Sequence, residues 1–150
     1  MIKLQSMSQK RFDYWRERLW VLYRQELIDA GHTEETAAKN VADTIADTMP
    51  DGVLVAGNFV FDLMHDGERV GVTWLVQNDD SWSIYDIEVD ESKRGQGFGR
   101  QAMKAIEEHV RSESGKTISL SVFGFNKAAR SLYESEGYET VRVSMKKTLD

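Results

Sequence analysis

The chain has 150 residues, 19 Lys and Arg against 25 Asp and Glu, a formal net charge of −6, and no cysteine. That length suits a single domain spanning 1–150, and 41% hydrophobic with 29% charged residues is an ordinary globular balance that excludes overall disorder. Without cysteine there are no disulfides, thiolate metal sites, iron–sulfur clusters or cysteine nucleophiles in the chain, and an acid surplus argues against a general duplex-DNA binder. The start, Met1 to Ser6, lacks an apolar leader core, and no stretch approaches a membrane span. A cytoplasmic domain with no membrane or nucleic-acid partner is expected.

Ile2–Ser6 reads as a short first strand. Ser8 suits the N-cap of a long helix reaching about Asp29, with Phe12, Trp15, Leu19 and Leu22 on one face and Gly31 as the stop. Thr33, followed by Glu34 and Glu35, opens a second helix, because acids suit the positive end of the dipole. Ala37, Val41 and Ile45 form its apolar stripe, and Met49-Pro50-Asp51-Gly52 is a turn. The period then changes from helix to strand. Phe59–Met64, Val70–Gln77 and Trp82–Val89 form an antiparallel meander, with Asp66-Gly67 as the first hairpin turn and Asn78-Asp79-Asp80 as the second. The rest alternates: helix Phe98–Glu113, strand Thr117–Phe123, helix Lys127–Glu136 closed by Gly137, and strand Glu139–Lys147. The order β-α-α-β-β-β-α-β-α-β predicts a mixed α/β sheet with helices on both faces.

The sharpest motif is Arg94-Gly95-Gln96-Gly97-Phe98-Gly99-Arg100, set between an apolar strand and an amphipathic helix. Alternate glycines clear side chains away, so that successive N–H groups at the helix start converge on an anion such as a pyrophosphate. Lys93, Arg94 and Arg100 add positive charge. Read for packing alone, the same glycines make a tight strand-to-helix turn. The dinucleotide pattern fails because Arg100 stands where it needs glycine or alanine. A P-loop ending at Gly115-Lys116-Thr117 fails as well, because Val110 holds its upstream glycine position and a strand follows.

With its flanks the loop resembles motif A of the GCN5-related N-acetyltransferases (GNAT), Arg/Gln-x-x-Gly-x-Gly/Ala, matched by Arg94, Gly97 and Gly99 after Ile87-x-Val89. Asn126-x-x-Ala129-x-x-x-Tyr133-x-x-x-Gly137-Tyr138 is similar to the family's motif B, and the element order agrees over nearly the whole chain. The resemblance implies acetyl transfer from acetyl-CoA to an amine acceptor. It places the pyrophosphate on the amides of Arg94, Gly95, Gln96, Gly97, Phe98, Gly99 and Arg100, and the pantetheine arm along the backbone of Ile87 to Val89. It also implies that the Val89 amide is an oxyanion donor, that Asn126 and Arg130 contact the cofactor, and that Tyr133 is the general acid. Asn126 equally suits a helix N-cap, and Tyr133 a core aromatic beside Ala129 and Leu132. A non-catalytic acyl-CoA-binding module is the alternative function; it needs the loop but neither Tyr133 nor an acidic face.

A lysine-type amine with a pKa near 10.4 is neutral in only about one molecule in a few thousand at pH 7, so a base is useful. Asp86 and Glu88, roughly 7 Å apart on one face of a strand, are candidates for base or substrate anchor, or for a solvated face. Protein N-terminal acetyltransferases of the ribosomal-protein type carry a glutamate twelve residues before the tyrosine; here that position is Ser121, which shifts weight to Asp86, Glu88 or water. His32, His65 and His109 lack metal-ligand spacing, read as surface residues, and no metal is expected. Trp74 and Trp82 are weaker candidates for the acceptor cleft, and a homodimer is compatible with the composition. From Asp79 to Glu91 there are six acids and no base, a distribution that suits a cationic acceptor. The lack of cysteine favours direct attack by the amine.

Overall fold

Residues 1–149 are described by a computed structural model. In chain order the elements are β1 (Ile2–Ser6), α1 (Gln9–Asp29), α2 (Glu34–Thr48), β2 (Asn58–His65), β3 (Glu68–Asn78), β4 (Ser81–Val89), α3 (Phe98–Ser112), β5 (Thr117–Leu120) and α4 (Lys127–Ser135). Local chemistry sets most of these boundaries. Ser8 Oγ accepts from Arg11 N at 3.2 Å, and Thr33 Oγ1 from Thr36 N at 3.1 Å, so both expected N-caps form. Asp66 and Gly67 hold φ of +50° and +79°, the pair of positive values that a two-residue hairpin of type I′ requires.

The strands lie in the order β1-β2-β3-β4-β5, antiparallel up to β4, with β5 joining β4 in parallel. Alternation along the strands sends two apolar sets to opposite faces. On one face Val60, Val72 and Trp74 pack with Phe12 and Trp15 of α1 and with Met49. On the other, Phe61, Leu75, Trp82 and Ile84 pack under Met103, Ile106 and Val110 of α3, with Leu132 and Tyr133 of α4 at the margin. Burial of each large apolar side chain contributes about 1.5–3 kcal/mol. α1 and α2 therefore cover one face, and α3 and α4 the other.

One irregularity matters for function. Trp74 of β3 faces Asp86, but the next residue, Leu75, faces Ile84, so Tyr85 is an extra residue without a partner. It is a β-bulge, which bends its strand and increases the twist. β5 accompanies β4 only from Ser81 to Ile84. Beyond Ile84, β4 runs on with a neighbour on one side alone.

Several expectations are corrected. The strand expected over Glu139–Lys147 is not formed: no backbone hydrogen bond ties residues 139–149 to the rest of the described chain. Its apolar alternation is present, yet a strand also needs a neighbour, and Val141, Val143 and Met145 stand 93%, 68% and 90% exposed. The described chain thus has five strands rather than six, and β5 stops at Leu120 rather than Phe123. Leu22 is exposed, because the buried stripe of α1 passes instead to Leu27. His109 and His65 are half-buried rather than fully at the surface: the ring of His109 lies against Phe61 and Trp82, 5.2 and 5.6 Å away, and that of His65 against Phe98 at 4.8 Å.

Gly71 fixes how closely β3 approaches β4 where β4 stands alone. A Cβ there would overlap the Glu88 carbonyl. Gly71→Ala is expected to destabilise the fold by about 1–3 kcal/mol in urea or thermal denaturation; wild-type stability would contradict this packing.

Candidate active site

The site begins at the lone stretch of β4. Asp90 N donates to Val70 O at 2.8 Å, so the alternation of an antiparallel pair turns the amide of Glu88 toward β3 as well. Ile87 and Val89 then direct their amides to the side that β5 has left. Their side chains pack into the core under α3. The Val89 carbonyl accepts from Arg94 Nε at 3.1 Å.

A short helical turn, Glu91–Lys93, leads from β4 into the glycine loop. Gly95 and Gly97 hold φ of +77° and +82°, and a Cβ at either would meet nothing within 4 Å. The two glycines are thus required by backbone conformation, not by crowding from the protein, and leave open space beside the loop, where Gln96 is exposed. α3 takes up its own bonding at Gln101 N, which donates to Gly97 O at 3.2 Å. The amides of Phe98, Gly99 and Arg100 precede it and have no carbonyl one turn back. Gly99 serves packing instead: a Cβ would lie 3.2 Å from Leu132 Cδ2 of α4.

The basic flank is engaged with the fold more than the sequence suggests. Lys93 Nζ pairs with Glu68 at 2.6 Å, and Arg100 reaches Ser135 Oγ and Glu136 at 3.1 and 3.0 Å. An anion held here rests on amides and the helix dipole rather than on these side chains. Such a row of free amides, cleared of side chains, fits a pyrophosphate.

On the α1 face, Asp86 and Glu88 project side by side. Arg18 grips Glu88 with two bonds, 2.7 and 3.3 Å. Trp15 Nε1 donates to Asp86 Oδ2 at 3.3 Å, from an indole that is itself buried and edge-on to Trp74. Burial, and then the charge of Glu88, raise the Asp86 pKa to about 7; the Trp15 bond and Arg18 oppose the rise, and Glu26 adds to it. A carboxylate poised near 7 can accept a proton from an ammonium and release it again. Beside this acid pair a cleft of about 580 Å³ lies between α1 and the end of β4, lined by Tyr14, Trp15, Arg18, Arg69 and Asp90.

Tyr133 of α4 is half-buried, with its ring 6.2 Å from that of Tyr138. The helix end that carries it is closed by Gly137 (φ +93°), where Tyr138 N donates back to Tyr133 O at 3.0 Å. Burial, and then the charge of Asp86, raise its pKa, so the phenol stays protonated and within electrostatic reach of Asp86. Asn126 caps α4, its Oδ1 accepting from Ala129 N at 3.3 Å, and Arg130 lies 3.7 Å from Glu134 with its side chain 43% exposed. Trp74 and Trp82 are buried core residues, and Trp74 donates to Asn58 Oδ1 at 3.0 Å. Sequence reading takes Trp15 as core first, with the lining of a substrate or dimer groove alongside Trp20 and Tyr23 as its other reading, and it missed Arg18; the only signal for either was spacing on α1, since the partners lie about seventy residues away.

The profile of the Acetyltransferase (GNAT) family matches residues 16–138. The chain belongs to the GNAT family. It is 29% identical to the Bacillus subtilis (strain 168) protein named "Uncharacterized N-acetyltransferase YycN", over 99% of both chains. The crystal structure of the Bacillus subtilis YycN acetyltransferase has a TM-score of 0.90 at 28% identity and covers 99% of both chains. A mycothiol acetyltransferase of Kytococcus sedentarius is 30% identical over 77% of this chain, which spans 40% of that protein. AAC(6')-Iy, solved with the bisubstrate analog CoA-S-monomethyl-acetylneamine, shares the fold with a TM-score of 0.61 at 14% identity, over 100% of this chain and 99% of that one. This GNAT chain is an acetyltransferase, of a family that uses acetyl-CoA.

The raised Asp86 pKa has a consequence for stability. Unfolded, the group ionises near its ordinary value of 3.8; folded, it does so near 7. Its contribution to stability is therefore intact below the unfolded value, falls as pH rises between the two, and is fully unfavourable above 7. Asp86→Asn should gain stability over the wild type as pH rises from 5 to 8, by about 2–3 kcal/mol. A stability difference independent of pH in paired thermal denaturation would contradict the shift.

Proposed function

We propose that this GNAT chain transfers the acetyl group of acetyl-CoA to a primary amine, with Asp86 as the base and Tyr133 as the acid. The observation that carries this reading is the stretch of β4 that β5 leaves. It bears on its α1 face a carboxylate, Asp86, held by Trp15 and with its pKa raised to about 7, while Tyr133 on the other face of the sheet feels the charge of that carboxylate. Acetyl-CoA supplies an acetyl group activated as a thioester. The amides of Phe98, Gly99 and Arg100, with the open space beside Gly95, Gln96 and Gly97, are suited to its pyrophosphate. The backbone of Ile87 and the N–H of Val89 offer unpaired groups to the pantetheine arm, in the manner of an added strand, while the Val89 carbonyl is held by Arg94. The Val89 N–H is then the donor on the carbonyl oxygen side, and Asn126 and Arg130 lie on the helix that flanks the arm.

The amine arrives as an ammonium, for which the Asp86 and Glu88 pair is an electrostatic match. Asp86 removes one proton, and the neutral nitrogen attacks directly. As the C–S bond breaks, the Tyr133 hydroxyl gives its proton to the departing sulfur, and the second proton that the nitrogen sheds on becoming an amide restores the phenol. Glu88, held by Arg18, keeps its charge in place and raises the proton affinity of Asp86.

Because the chain has no cysteine, a thiol reagent reports only released CoA. With acetyl-CoA and a panel of primary amines, amine-dependent thiol release is expected; release no faster than hydrolysis with every amine would overturn the proposal. Tyr133→Phe should lower kcat by about 10²–10⁴-fold with acetyl-CoA affinity nearly unchanged. An equally active variant would remove Tyr133 as the acid. In the wild type, kcat/KM should rise with pH and level off above about 7, reporting Asp86. Trp15→Phe, which removes the bond opposing the shift, should move that limb upward; an unmoved limb contradicts Asp86 as the base. Gly97→Asp puts a negative charge beside the loop, with some strain from a φ of +82°, and should weaken acetyl-CoA binding at least about tenfold.

A further inference from the structure

The cleft between α1 and the end of β4 is ringed by guanidinium–carboxylate pairs. Asp62, Val72 and Glu88 lie opposite one another on β2, β3 and β4, so they form one row across the sheet. Arg11 of α1 reaches Asp62 at 2.9 Å, and Arg18, two turns later, reaches Glu88 at 2.7 Å. A third pair, Arg69 with Asp90 at 3.0 Å, closes the end where β4 leaves the sheet. Val72 and the indole of Trp15 supply an apolar lining between these pairs.

The pairs leave little negative charge for a second cation. Glu88 is engaged by Arg18 and Asp90 by Arg69, and of the acids lining the cleft only Glu91 lacks an ion pair among the described residues. Hydrogen-bond donors remain instead. A guanidinium carries five N–H groups in a planar fork. Arg69 gives one nitrogen, Nη1, to Asp90, while its Nε and Nη2 make no hydrogen bond among the described residues and its side chain is 36% exposed. The bond to Asp90 holds this fork in place, and the exposed Ser92 lines the same end. Such a fork matches the plane of a carboxylate.

We propose that the amine acceptor is an ω-amino carboxylate, its amine directed to Asp86 and its carboxylate held by Arg69 beside Ser92, an assignment that rests on the acetyl transfer proposed above. Trp15 joins the two ends, since its ring lines the cleft and its N–H holds Asp86. Asp86 and Asp90 are four residues apart, roughly 13 Å along an extended chain. A charge-assisted hydrogen bond of about 2.8 Å at each end leaves roughly 7 Å, the reach of about five or six covalent bonds between nitrogen and carboxyl carbon. An α-amino acid is too short to meet both groups. A plain alkylamine or a diamine leaves the Arg69 fork unfilled.

A series of straight-chain amino acids serves as a ruler. With acetyl-CoA, thiol release is compared for glycine, 4-aminobutanoate, 5-aminopentanoate, 6-aminohexanoate and 8-aminooctanoate, and for hexylamine and hexane-1,6-diamine, which lack the carboxylate. The expected kcat/KM peaks at 5-aminopentanoate or 6-aminohexanoate and exceeds that of glycine, hexylamine and the diamine at least about tenfold. A series without a peak, or hexylamine or the diamine matching the best amino carboxylate, overturns the acceptor assignment and leaves acetyl transfer standing. Arg69→Gln should erase the preference for 6-aminohexanoate over hexylamine, chiefly through KM, and Arg69→Lys should restore part of it. A preference retained in folded Arg69→Gln overturns Arg69 as the partner of the carboxylate. The wild-type series needs no variant, so it decides even where a variant fails to fold. Release with other primary amines but with none of this set overturns the acceptor alone; no release with any primary amine defeats the transfer reading beneath it as well.

Discussion

At Tyr85 the register between β3 and β4 slips by one residue, and from there β4 keeps only one neighbour. A sheet normally satisfies every inner strand on both sides, so this break leaves polar backbone groups that the fold itself does not use. The bulge also sets the directions of the side chains that follow. Asp86 and Glu88 turn toward α1, while Ile87 and Val89 anchor the strand under α3. An acidic face and a free amide edge thus belong to the same four residues. The glycine loop continues from that strand with further free amides at the start of α3, so the three features form one continuous surface.

The arrangement has an energetic cost at Asp86. A carboxylate enclosed between a helix and a sheet, beside a second carboxylate, is driven toward its neutral form. Trp15 and Arg18 offset part of that penalty without neutralising the pair, and the remainder appears as a proton affinity near neutrality. The negative charge of the chain acquires a position in the same way. Of the acids between Asp79 and Glu91, Asp86 and Glu88 gather on the α1 face, where an ammonium is proposed to be received, whereas the loop proposed to hold the anion depends on neutral amides, with Lys93 and Arg100 committed to Glu68 and Glu136. A net charge of −6 and a site for a phosphate-rich cofactor are therefore compatible.

Features written in local chemistry were legible in the sequence. Ser8, Thr33, Asp66-Gly67, the two loop glycines and Gly137 all do what their side chains or lack of one require, and the two motifs identified the family. What escaped depends on contacts distant along the chain. The bulge at Tyr85 has no signature of its own, because the residues around it alternate as in any strand. Trp15 read as core, which it is, but its indole N–H meets Asp86 only once α1 packs across the sheet. The final strand shows the opposite failure. Val141, Val143 and Met145 carry the right alternation, yet pattern alone supplies no partner, and within one chain none is engaged.

The central claim is that the break in β4 and the start of α3 together hold the acyl donor through backbone amides. Titration of the ¹⁵N-labelled chain with CoA tests it most directly. The account predicts that the amide resonances of Ile87, Val89, Phe98, Gly99 and Arg100 shift together along one binding curve. Saturable CoA binding that leaves those five amides unmoved, with shifts elsewhere, would contradict it.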